Sequence, residues 1–186
     1  MKNLLLLLIT VAVSFSFSCS TSNKSSNTNS GNLNGSNGDK PLWSTIEYHY
    51  YTGPVSPEYQ YRYKVIVNED KNCQFIYYYS ASVDTNYYQN SFTITESQLA
   101  ELNKAVKNSK VLDENVSEES NPPIGGTQQY AYIIVVDPNP DLDQSPRRIE
   151  IPVFPEAKYK ENIEKLYSTI QGLIPPGIME EAKSKN

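Results

Sequence analysis

The sequence predicts an α+β domain, an antiparallel sheet in β-β-β-β-α-β-β-α order with its helices packed on one face. Three observations carry this. Residues 59–68 (YQYRYKVIVN) alternate with the two-residue period of a half-buried strand. Residues 95–98 (TESQ) have the Thr-x-x-Gln spacing that closes the first turn of a helix. Strand-like segments run together before that helix instead of alternating with helices, which separates α+β from α/β.

Taken in order, the elements follow from local chemistry. In 59–68, Tyr59, Tyr61, Tyr63, Val65 and Val67 share one face; Gln60, Arg62, Lys64 and Asn68 share the other, interrupted by Ile66. Residues 43–51 and 73–80 read as its neighbours. A Gly/Pro turn (52–58, TGPVSPE) and a polar turn (68–72, NEDKN) join them. Residues 87–94 form a fourth strand. Thr95 caps a helix whose apolar stripe is Leu99, Leu102 and Val106, ending near Asn108. Asn121-Pro122-Pro123-Ile124-Gly125-Gly126 is a loop. Tyr130 to Val136 is apolar on both faces, which places it inside the sheet. Arg147 to Ile151 is a shorter strand. Pro155 suits the first turn of the last helix, whose stripe is Tyr159, Ile163, Leu166, Tyr167 and Ile170. Pro175-Pro176-Gly177 is expected to end regular structure, so the domain spans 41–180 and residues 181–186 form a polar tail.

The 186-residue chain holds fifteen tyrosines, all beyond residue 47, which argues for β-rich structure there and against disorder. Its formal net charge is −5. A negative domain is repelled by phosphate backbones, so nucleic acid is not an expected partner, and basic-patch attachment to anionic lipid is not expected either. Two cysteines, Cys19 and Cys73, build no disulfide scaffold and no CxxC zinc pair; one histidine, His49, excludes HExxH.

The first residues are of another kind. Lys2 precedes a ten-residue apolar run, Leu4 to Val13, half the length that spans a bilayer. Ser14-Phe15-Ser16-Phe17-Ser18-Cys19 follows. Small residues before a cysteine resemble the lipobox of bacterial lipoproteins, although Ser16 stands where that family usually has Leu. The resemblance implies removal of an 18-residue signal peptide, residues 1–18, and attachment of diacylglycerol and a further acyl chain at Cys19. Ser16 and Ser18 also fit plain secretion; a cysteine at the cleavage point with a polar tether behind it favours lipidation. Ser20 in place of Asp implies the outer membrane or cell surface over inner-membrane retention. Residues 20–40 hold seventeen Ser, Thr, Asn or Gly in twenty-one, too polar to bury. Such a tether reaches about 25 Å as a coil and about 70 Å extended. The order of the GP turn, three tyrosine-rich strands, capped helix, GG turn and a last strand and helix resembles small lipoprotein domains of unknown function over most of residues 46–175. That resemblance carries no activity.

Candidate chemistry is sparse. Core packing is the expected role of most tyrosines, and alternation puts Tyr51 and Tyr78 on the opposite face as a contact surface. Cys73 falls with Phe75, Tyr77 and Tyr79 on the core face, a buried thiol. Asp137, Asn139, Asp141 and Asp143 have calcium-loop spacing. However, Leu142 replaces the turn glycine and Arg148 the bidentate glutamate, so no metal is expected. His49 alternates outward with Glu47, and no GxSxG or phosphate-binding glycine loop exists, so no catalytic residue or cofactor is expected. The expected protein is a non-enzymatic, lipid-anchored envelope module that binds a protein or glycan. The rival is an inhibitor using the loops at 52–58 or 121–126; an envelope hydrolase is the third reading.

Overall fold

The structure is a computed structural model and describes residues 41–79, 85–135 and 146–185. The expected signal peptide and tether, Cys19 and the Asp137–Asp143 loop lie outside the described residues.

Among the described residues six strands form one sheet: β1 (Thr45–Tyr51), β2 (Arg62–Asn68), β3 (Asn72–Tyr78), β4 (Tyr87–Thr93), β5 (Gln128–Val135) and β6 (Arg147–Ile151). Their order is β4-β3-β2-β1-β5-β6, and every pair is antiparallel. The first four strands are a meander. Helix α1 (Glu96–Ser109) then carries the chain back across the sheet, so that β5 pairs with the other side of β1. Helices α2 (Ala157–Gly172) and α3 (Pro176–Ser184) follow. The α+β class, the antiparallel sheet and the order of its elements are as the sequence predicts, with α3 added.

The helices share one face. Leu102 and Val106 of α1, the α2 stripe and Ala182 of α3 join one buried cluster with Ile46, Tyr48, Val65, Phe75 and Ile133 of the sheet. All five expected α2 stripe residues are buried. The capping box is complete: the Gln98 N–H donates to Thr95 Oγ1 at 3.2 Å, and the Thr95 N–H donates to Gln98 Oε1 at 2.9 Å. Both orphan donors are thereby satisfied. A buried polar network ties α2 to the sheet. Gln171 Nε2 donates to the hydroxyls of Tyr48 (2.8 Å) and Tyr63 (3.2 Å), and Tyr48 donates on to Gln129 Oε1 at 2.7 Å. Burial holds the Tyr48 hydroxyl far above its ordinary pKa and pushes that of Tyr63 up to about 12, so both stay protonated.

Four boundaries differ from expectation. The second strand starts at Arg62, and Tyr59 lies in a 3-10 turn, 68% exposed, instead of on the core face. Pro57 sets the helical φ there, and the Tyr59 N–H turns back to Ser56 O. Pro155 precedes α2 and bridges to Glu118. Pro175-Pro176-Gly177 opens a helix instead of ending structure. A proline at the first helical position loses only an N–H with no intrahelical partner, and Ile178, Met179 and Ala182 pack into the core. The expected limit at residue 180 and the polar tail from 181 therefore fall inside α3: Glu181 accepts from the Tyr88 hydroxyl at 2.8 Å, and Ala182 is buried.

Candidate functional site: the open face of the sheet

Residues directly opposite on paired strands point to the same side. The register therefore fixes the face away from the helices. Its first row is Tyr87, Tyr78, Arg62, Tyr51 and Gln128, read from β4 to β5. The next is Gln89, Ile76, Lys64, His49 and Tyr130. A third is Ser91, Gln74, Ile66, Glu47, Tyr132 and Glu150. The sequence-derived contact residues Tyr51 and Tyr78 thus lie in one row, with Arg62 between them. Both are half-buried, and the Arg62 guanidinium sits 4.5 Å from the Tyr78 ring centroid.

Tyr87, Tyr130 and Tyr132 belong to the same face and were not singled out in the sequence. Tyr87 is half-exposed, at 51%. Tyr130 stacks on His49 with ring centroids 4.5 Å apart and planes 7° apart, and Tyr132 meets His49 edge-on at 5.8 Å. The Arg148 guanidinium lies 3.6 Å over the Tyr132 ring. Such contacts contribute about 0.5–2 kcal/mol each and hold the rings in fixed orientations. Ala131 and Ile133, which alternate with Tyr130 and Tyr132, are fully buried.

His49 Nε2 lies 2.7 Å from Glu47 Oε1, and Lys64 Nζ lies 3.6 Å from the same oxygen. Burial pulls the imidazole below its ordinary pKa; Glu47 opposes the shift, while Lys64 and Arg148 add to it. His49 is therefore neutral at pH 7. The face then presents three cations (Arg62, Lys64, Arg148) to two carboxylates (Glu47, Glu150) on a chain of net charge −5. Among the described residues no serine, threonine or cysteine is bonded to or stacked on His49. Among the described residues no three His, Cys, Asp or Glu side chains gather as a metal site would require. A groove of about 480 Å³ between α1 and α2 is lined by Glu101, Lys104, Asn108 and Lys165. It is lined mostly by charged and polar side chains, unlike the apolar clefts that hold small ligands.

At one end of the sheet the two Pro/Gly loops meet. Gly53 (φ 82°), Gly125 (φ 84°) and Gly126 (φ 86°) all take the left-handed conformation. A Cβ on Gly53 would run into the Gly126 carbonyl, so the loops are in contact and Gly53 tolerates no side chain. Ile124 at the tip is fully exposed, and Val55 is 41% exposed. This pair of loops adjoins Tyr51, the last residue of β1. The chain matches no known protein-family model and no curated protein. Among the described residues no helix is long and apolar enough to cross a membrane.

Proposed function

We propose that the protein is a lipid-anchored, non-enzymatic binding module of the cell envelope, held by acyl chains on Cys19 and touching a protein or glycan through the open face of its sheet. The observation that carries the binding role is the sidedness of the sheet. One face is filled by three helices. Among the described residues the other carries five tyrosines and one histidine, two of the tyrosines braced by arginines, which is a composition suited to a contact surface. Three cations to two carboxylates favour a partner that presents anionic groups. The anchor is supported by the apolar run ending at Ser18-Cys19.

Two measurements test this. Cys19→Ala abolishes labelling by a clickable fatty acid and releases the chain from membranes; unchanged labelling overturns the anchor. Capture of an envelope component by the immobilised chain weakens in Tyr51→Ala and Tyr78→Ala while the melting temperature barely moves. Protease treatment or competition with soluble polysaccharide then separates a protein partner from a glycan. Hydrolysis of peptidoglycan, esters or peptides by the purified chain overturns the non-enzymatic role.

One observation favours the inhibitor reading. Ile124 projects fully from two loops that brace each other through Gly53 and Gly126, the geometry of a peg for an enzyme cleft. If the loops are the contact, Ile124→Asp abolishes binding while Tyr78→Ala leaves it intact.

A further inference from the structure

The described sheet ends on β4 at one side and on β6 at the other, and the two edges differ in chemistry. β6 is five residues long and carries Arg147, Arg148 and Glu150. Charges on a short strand discourage a further strand from pairing. β4 is seven residues long, reads YYQNSFT, and has no charge and no proline. An uncharged edge of this length is a template for another strand.

The direction of its free main-chain groups follows from the β3–β4 ladder. The Tyr79 N–H donates to Asn86 O at 3.4 Å, and the Ile94 N–H donates to Lys71 O at 3.1 Å. Hydrogen-bonded pairs alternate along an antiparallel ladder. Tyr88, Asn90 and Phe92 therefore bond inward to Tyr77, Phe75 and Cys73, their register partners. The N–H and C=O groups of Tyr87, Gln89, Ser91 and Thr93 point outward.

We infer that β4 pairs antiparallel with β4 of a second copy of this chain, about a two-fold axis through Asn90. The main chain of any strand can pair with itself about such an axis; what suits β4 to it is that each side chain there meets an uncharged partner. The outward groups of Tyr87 meet those of Thr93 in the second copy, and those of Gln89 meet those of Ser91, giving hydrogen-bonded pairs throughout. Asn90 meets its own counterpart in a non-hydrogen-bonded pair, where side chains approach most closely. Tyr88 faces Phe92 of the second copy in the same kind of pair. Phe92 is half-buried on the helix side of the sheet and gains an aromatic neighbour. No like charges oppose each other. The contact is isologous and closes as a dimer. It joins two open faces into one and stands apart from whatever that face binds.

The test is a cysteine trap in membranes of cells making the full chain. Non-hydrogen-bonded antiparallel neighbours lie about 4.5 Å apart at Cα, inside the range a disulfide spans. Asn90→Cys should give a covalent homodimer under mild oxidation, about tenfold more than Ser91→Cys or the β6-edge variant Glu150→Cys. The unaltered chain, whose Cys73 is buried and whose Cys19 is acylated under the proposed anchoring, should give none. Ser91→Pro removes only an outward N–H, so it should leave the circular-dichroism spectrum intact and abolish the Asn90→Cys cross-link. Gln89→Lys, which sets a cation on the edge, should do the same. Equal cross-linking at all three cysteine positions reports random collision and overturns the inference. A mixed disulfide with another protein overturns the second copy as occupant, and an uncross-linked Asn90→Cys chain overturns the pairing.

Discussion

The two faces of this sheet use the same residue for opposite ends. On the helix side, Tyr48 and Tyr63 are buried, their hydroxyls are bonded to Gln171, and their rings lie 6.2 Å apart inside an aromatic cluster. On the open side, Tyr78, Tyr130 and Tyr132 are half-buried and rest against Arg62, His49 and Arg148. A tyrosine with a satisfied hydroxyl in an apolar core contributes to stability; one braced by a cation at the surface offers an oriented ring to a partner. Residue type alone does not separate the roles. The parity of the residue along its strand does.

The sharpest way to break the comparison is to remove one ring from each face. Tyr48→Ala should cost about 3–5 kcal/mol, as large aromatic truncations in cores do, whereas Tyr78→Ala should cost under about 1 kcal/mol. Urea titrations of the two variants check this, and equal losses would erase the distinction between the faces. Tyr48→Phe is the finer version. It keeps the ring and leaves Gln129 Oε1 without its donor, so about 1–2 kcal/mol is expected.

Cys73 sharpens it kinetically. The thiol is 2% exposed, and burial, with a smaller contribution from Asp70, pushes its pKa up to about 12. Cys73 of the native chain should react with a maleimide far more slowly than Cys73 of the urea-unfolded chain, and equal rates at that residue would show that the core face opens readily.

His49 titrates the open face. Its folded pKa lies below the unfolded value of 6.5, so between those two values the unfolded chain binds more protons. Stability is therefore full above pH 6.5 and falls as the pH drops through the folded pKa. The groups facing the ring are Glu47, Lys64, Arg148, Tyr130 and Tyr132. His49→Gln should flatten that part of the pH–stability curve, and an unchanged slope would assign it to other groups. The smallest effect is expected away from both faces. Lys110, at the end of α1, holds φ 61°, and Lys110→Gly should raise stability by about 0.5–1 kcal/mol.

The strands and helices with a clean period were legible because burial on one side imposes that period. Both the 99-102-106 and the 159–170 stripes are buried as read. The start of the second strand was not legible: the Tyr59-Tyr61-Tyr63 alternation continues the strand pattern backwards, and only the turn set by Pro57 interrupts it. α3 was missed because two prolines and a glycine read as a stop, while proline's place at a helix start depends on what packs behind it. Within the candidate site, Tyr51 and Tyr78 could be assigned to the open face from parity. Tyr130 and Tyr132 could not, since Tyr130 to Val136 is apolar on both sides and no local cue says which side the helices cover.

The chain enters the domain by way of Trp43, which is buried, and then β1. That strand is bonded along its length to β2 on one side and β5 on the other. A pull applied through the preceding residues thus loads two hydrogen-bonded ladders together, and they share the tension instead of parting one bond at a time. Attached by its other end, the same fold would present α3, one short helix leaning on the edge strand β4. The N-terminal side is the mechanically strong handle of this domain.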